Sequence, residues 1–370
     1  RANWFAERDE EPHDIYTFGQ PNWHGAVARE HKAARDAAVL FDQTSFAKYI
    51  LTGPDAEQAL QWIAANRVDK PVGTIIYTQM LNDNGGIECD LTCVRTKHTE
   101  YYITTGTGYA THDFDWIGRN IPSDLNVQLV DVTSSNAVLS LFGPKARDIL
   151  ELVTTGDVSN TVHPFGFARQ IGIAGCSVLA MRITYVGELG WELHLPVENA
   201  QTVYSALIEA GTPLGLRNAG YRAIETLRLE KGYRAWSSDI GPDHTPDEAG
   251  LGWAVKMKSN ISFKGRDAVA RQREEGIKKI MATFTTDSDI ILSGRETIYR
   301  NGNRCGWLSS AGFGHTIGKF IGMGYVRGDE YIDTEFVLSG DYELEVATER
   351  VKANVFLKPL YDPKMEKIKT

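Results

Sequence analysis

The chain has 370 residues, 42% hydrophobic and 24% charged, a composition that excludes a disordered chain and gives room for two or three packed units. Lys and Arg number 39 against 48 Asp and Glu, and the net charge of −9 disfavours nucleic acid and anionic membrane as partners, while a local basic pocket for a small anion stays open. No apolar run approaches the ~20 residues of a membrane span, the start has no signal-peptide pattern, and Cys89, Cys93, Cys176 and Cys305 form no CxxC pair, so a reducing compartment is expected, bacterial cytoplasm or mitochondrial matrix.

Positions 25–39 space Ala and Val at helical intervals between charges and predict a helix. The run FDQTSFAKYILTG predicts one strand. Pro54 then opens a second helix, with Asp55 and Glu57 in its first turn where acids suit the dipole. TIIYTQML and IECDLTCV predict a hairpin around the turn at 82–86. In the returning strand Ile87, Cys89, Leu91 and Cys93 share one face; Glu88, Asp90 and Thr92 share the other. EYYITTGTG predicts a third strand. His112, Asp113 and Asp115 have the residue types of a metal cluster but read as the polar, solvated start of a helix, and no metal is expected. NAVLSLFG predicts a strand, Pro144 opens a helix through Leu152, and SVLAMRITYVGELGWELHLP predicts two strands around the loop 186–190. Helices over 200–210 and 220–231, and one after Gly265, lead to an all-β tail with strands near 278–285, 297–308, 319–326 and 341–357. The pattern is α+β without regular βαβ alternation, ending in a β-barrel.

Three places have chemical potential. Asp90 lies mid-strand after a Gly-Gly turn, where aspartate is disfavoured. It is either a solvent-facing residue of a half-buried strand or a catalytic carboxylate on a rigid element. Tyr185 and Glu192 flank a loop. A carboxylate there either accepts the paired N–H groups of a 2-amino-4-oxo pterin edge or merely alternates outward between Trp191 and Leu193. Arg222, Arg228 and Arg234 recur among Glu225 and Glu230, as ion pairs on a helix or as a grip on a substrate carboxylate. No GxGxxG between strand and helix, Walker A, HExxH or GxSxG motif occurs.

Taken in order, NDNGGIECDLTCV, LFGPKARDIL, ITYVGELGWELHLP, AGYRAIETLRLEKGYRAW, PDEAGLGWAVK and GKFIGMGYVRGD resemble the folate-binding aminomethyltransferase family over nearly the whole chain. That family includes the glycine-cleavage T-protein and the C-terminal halves of sarcosine and dimethylglycine dehydrogenases. RANWF, GYRAIETLRLEKGYRAW and LYDPKMEKIKT resemble the sarcosine dehydrogenase branch most, in which a segment like RANWF follows a flavin domain; Arg1 in place of Met is therefore expected to mark a cut at a domain boundary.

The resemblance implies an α+β three-domain ring around a central folate channel. The expected division is a discontinuous domain over 1–50 and 136–275, a domain with the catalytic hairpin over 51–135, and a C-terminal barrel over 276–370. It implies tetrahydrofolate as cofactor, FAD only in a further domain or a separate flavoprotein, and a methylated amine as small-molecule partner. It places the catalytic aspartate on Asp90, with Cys89 where the T-protein has another acid, and the pterin-binding pair on Tyr185 and Glu192. Arg222, Thr105, Met80 and Phe46 are expected as further folate contacts. Around Thr105 and Gly106 a T-protein asparagine is missing, and Ile224 replaces its arginine, with Arg222 nearby; both departures speak against a lipoyl-bound donor. The expected reaction captures the methyl-derived carbon of an N-methyl amine as 5,10-methylenetetrahydrofolate. The alternatives are a stand-alone tetrahydrofolate-dependent demethylase, a glycine-cleavage aminomethyltransferase and a non-catalytic folate-binding regulator.

Overall fold

A computed structural model describes residues 2–288 and 290–370, so Arg1 lies outside the described residues. Three β-units organise the chain. The first is a six-stranded sheet in the order Leu216–Asn218, Ala38–Asp42, Asn136–Phe142, Gly190–Pro196, Cys176–Met181, Ala168–Ile173. Alternation turns Trp191, Leu193 and Leu195 to one face, where they pack with Ile149, Leu150, Val203 and Leu207 of the helices Ala146–Val153 and Ala200–Gly211. The second is a five-stranded sheet in the order Ile75–Leu81, Ile87–Lys97, Glu100–Thr105, Ala47–Thr52, Gln128–Asp131. Its helix-covered face buries Met80, Cys89, Leu91 and Cys93 against Ala59, Leu60, Ile63 and Ile117. The third is a closed six-stranded barrel over Ile277–Phe356, whose closure leaves no free strand edge.

On the first sheet's other face Val39, Phe41 and Phe142 pack on the helices His24–Asp36 and Tyr221–Glu230, and the units meet beyond them. Val94 and Tyr102 of the second sheet meet Ala168 and Met181 of the first. The segment after the helix Tyr221–Glu230 packs Ile240, Ala249, Leu251 and Val255 onto Leu81 and Ile87 of the hairpin. Leu229 of that helix reaches Met281, Ile321, Met323 and Tyr325 of the barrel. No helix among the described residues is long and apolar enough to cross a membrane.

Two segments differ from their sequence expectation. FDQTSFAKYILTG is two strands, in different sheets. The Asp42 carboxylate accepts the Thr44 N–H at 2.9 Å and the Phe46 N–H bonds the Gln43 carbonyl, which reverses the chain between them. The first helix accordingly stops at Asp36, and the second sheet begins at Ala47, ahead of position 51. The run 297–308 is also divided, because Asn301 and Gly302 both take positive φ (50° and 77°), which gives the tight turn of a two-residue hairpin.

Candidate active site

The hairpin Ile75–Leu81 and Ile87–Lys97 sets the geometry. Its register pairs Gln79 with Asp90 and Tyr77 with Thr92, so these side chains rise on the face away from the helices. Tyr77 Oη donates to Asp90 Oδ1 at 2.6 Å and Gln79 Nε2 donates to the same oxygen at 2.9 Å. Oδ2 has no hydrogen-bond partner among the described residues, and Asp90 keeps part of its surface open. The carboxylate is thus pinned at one oxygen and unpaired at the other.

Burial pushes the Asp90 carboxyl up to about 6; the hydrogen bonds from Tyr77 and Gln79 pull it down, the nearby Asp113 carboxylate adds to the rise, and Arg234 opposes it. The ionised form therefore prevails at neutral pH. Removing a donor to that form should raise the value further. Tyr77→Phe is expected to move the acid limb of any Asp90-dependent activity upward by roughly one to two pH units, from a hydrogen bond to charge of about 1.5–3 kcal/mol. A pH–rate profile of the variant checks it; a limb that stays in place or moves to lower pH contradicts the role of Tyr77.

The first sheet carries the other candidate carboxylate. On the strand Gly190–Pro196, Glu192 and His194 lie on the face opposite Trp191 and Leu193. Glu192 is 8% exposed, yet its only contact among the described residues is His194 Nε2 at 3.4 Å. His194 Nδ1 in turn meets Tyr102 Oη at 3.0 Å, which joins the two sheets. Tyr185 donates to the Arg234 carbonyl at 2.8 Å, and its ring stacks on Tyr233 at 5.8 Å. Burial holds its phenol protonated. Buried Gln79 Oε1 and Thr104 Oγ1 have no partner, an uncommon state that a bound polar ligand would relieve.

The other expected contacts are placed differently. Met80 pairs with Cys89, one residue out of step with Asp90, and a step of one changes the face. Its side chain is fully buried in the core of the second sheet. Thr105 shares that core side, 4% exposed, and donates to Asp113 Oδ2. Neither side chain reaches the space in front of Asp90. Phe46 is half-buried in the turn between the two sheets. Arg222 is taken up elsewhere: it pairs with Asp14 and lies over the Trp23 ring at 4.1 Å.

The polar group at the start of the helix Ala110–Asn120 is also not as expected. Asp113 is 2% exposed, not solvated. Ligand atoms of Cys89, His112 and Asp113 lie within 4.8 Å of one another, while Asp115 pairs with Arg119 at 2.9 Å. Asp113 accepts from Thr105 at Oδ2 and meets His112 Nδ1 at 2.9 Å through Oδ1, so protein already engages both of its oxygens.

Sequence reasoning missed Tyr77 and Gln79, although the alternation applied to Asp90 also runs through the partner strand. It missed Trp253 as well, which stacks on Tyr77 at 5.6 Å and 27° while 63% exposed.

Asp90 on the second sheet and Glu192 on the first are the two candidate carboxylates of a three-unit α+β protein that ends in a closed barrel. The chain belongs to the glycine cleavage T-protein family: residues 1–259 match the GCVT N-terminal domain and residues 279–362 the glycine cleavage T-protein C-terminal barrel domain. It is 38% identical to mitochondrial sarcosine dehydrogenase of Mus musculus over 96% of this chain, and spans 40% of that protein's length. It is 35% identical to the aminomethyltransferase of Halothermothrix orenii over 86% of this chain and 88% of that one. The glycine cleavage system aminomethyltransferase T from Bartonella henselae has the same fold, with a TM-score of 0.83 at 23% identity over 98% of this chain and 95% of that one.

Proposed function

We propose that this chain performs tetrahydrofolate-dependent one-carbon transfer, taking up the methyl-derived carbon of an N-methyl amine of the sarcosine or dimethylglycine kind as 5,10-methylenetetrahydrofolate. The observation that carries the reading is Asp90, fixed at Oδ1 by two donors and open at Oδ2. Tetrahydrofolate supplies the amine nitrogens that take up the carbon. Those nitrogens become cationic as they react, and ionised Asp90 orients them, stabilises the charge and accepts the proton at Oδ2. Its anchoring by Tyr77 and Gln79 holds the oxygen still, which a positioned base needs.

Glu192 fits the pterin edge, since its carboxylate is mostly buried with a single long contact. Gln79 Oε1 and Thr104 Oγ1 offer further unpaired atoms on the same face. The Tyr77–Trp253 stack offers an aromatic wall. Oxidation of the amine falls to a flavin in a further domain or a separate flavoprotein, and enclosure between the sheets limits loss of a reactive aldehyde.

Calorimetry with tetrahydrofolate tests this. The unaltered chain is expected to bind, and Glu192→Ala to weaken binding roughly tenfold to a hundredfold, the loss of charge-assisted hydrogen bonds of about 1.5–3 kcal/mol. A chain that binds no tetrahydrofolate defeats the reading, and an unchanged dissociation constant in the variant removes Glu192 from the pterin role.

A further inference from the structure

We propose that Arg234 is the carboxylate-binding point of the space in front of Asp90. The argument begins with the three arginines of YRAIETLRLEKGYRAW. Arg222 is neutralised by Asp14. Arg228 lies between Glu225 and Asp239, at 2.8 Å from each. Arg234 has no ion pair with any carboxylate among the described residues. Its Nε donates to the Ala249 carbonyl at 2.8 Å and its Nη1 to the Gly232 carbonyl. Two neutral main-chain acceptors fix the guanidinium in place, and the carboxylates of Asp90 and Asp239 act on its charge without pairing with it directly.

Asp239, the carboxylate that acts on it most strongly, is already saturated. Oδ1 accepts from Ser309 and Ser310; Oδ2 accepts from Arg228 and from the Ala235 N–H. Arg234 Nη2 has no hydrogen-bond partner among the described residues. The groups around it are Tyr325 and the two site phenols, Tyr77 and Tyr185. Tyr77 holds Asp90 directly.

Nη2 lies close to a glycine, where a larger residue would crowd it. Gly250 has φ +70°, and a Cβ there would stand 2.9 Å from Nη2. A guanidinium in largely buried surroundings with no carboxylate paired to it directly favours a ligand that brings one. A planar fork with one edge free suits a carboxylate.

Two molecules of the proposed reaction carry such a group: the glutamyl end of the folate and an N-methyl amino acid donor. The inference rests on that reaction for its choice of ligands, and paired probes separate the sources. Tetrahydrofolate is compared with the primary amide of tetrahydropteroic acid, which has the same rings and no carboxylate. Sarcosine is compared with dimethylamine. Each is titrated by calorimetry into the unaltered chain, Arg234→Gln and Arg234→Met; the last fills a similar volume without a polar end to satisfy, and so serves if Arg234→Gln does not fold.

At least one carboxylate-bearing probe is expected to bind roughly tenfold more weakly to the variants, while its carboxylate-free counterpart changes by no more than about twofold. The affected pair names the source. Equal losses within both pairs, no loss in either, or no binding of either acid by the unaltered chain overturns the assignment. If the unaltered chain binds sarcosine but no tetrahydrofolate, the folate reading fails and the sarcosine pair still decides on Arg234.

Discussion

Asp90→Asn is expected to slow formation of 5,10-methylenetetrahydrofolate by roughly 10²–10⁴, the range a positioned general base contributes, while tetrahydrofolate still binds. Asparagine has the same shape. Its carbonyl oxygen can still accept from Tyr77 and Gln79, which now reach Oδ1 at 2.6 and 2.9 Å. What it loses is the negative charge at the open position and the ability to take a proton. The pH dependence has a definite sign. Asp90 acts ionised and its carboxyl stands at about 6, so turnover in the unaltered protein should rise with pH through about 6 and level off above. Stability runs the other way. A carboxyl raised above its usual 3.8 favours folding most below that value, and the contribution is lost as pH rises through about 6. The asparagine variant should therefore melt no lower than the unaltered protein at pH 7. Loss of turnover with an intact melting temperature and intact folate binding is the expected combination. Undiminished turnover would take the reaction away from Asp90.

The parts of this site that were legible in the sequence are those governed by local rules. Period-two alternation after a Gly-Gly turn separates Asp90 from Cys89, Leu91 and Cys93, and the structure keeps that separation. The loop between Tyr185 and Glu192 is likewise a local pattern. Family resemblance, by contrast, transfers positions without faces. Met80 and Thr105 follow Gln79 and Thr104 in the chain and point into the core. The arginines were beyond local reading for another reason. Their partners Asp14, Asp239 and Ser310 lie on other elements, and Arg234 falls past the end of the helix at Glu230, so equal spacing along the chain does not tell which of the three is paired. The two strands of FDQTSFAKYILTG diverge into different sheets at a four-residue turn whose only signal is Asp-Gln-Thr-Ser.

Arg228→Met should be the most destabilising single change at the junction of the three units, by about 3–5 kcal/mol. The side chain is 3% exposed and holds Glu225 from the helix, Asp239 from the following segment and Ser310 of the barrel, the last at 2.9 Å. Methionine fills a similar volume, so lost packing is a small part of the effect. The dominant cost is Asp239, whose carboxylate is fully buried and would keep only Ser309, Ser310 and the Ala235 N–H. An exposed pair gives the contrast. Arg119 and Asp115 are 78% and 52% exposed, and breaking that pair should change stability by no more than about 1 kcal/mol. Urea unfolding measures both. Adding Asp239→Asn to Arg228→Met should recover part of the loss, because the double variant no longer buries an unpaired charge. Recovery would assign the penalty to the orphaned carboxylate. A double variant less stable than the sum of the two single changes would instead assign it to the contacts that tie the helix to the barrel.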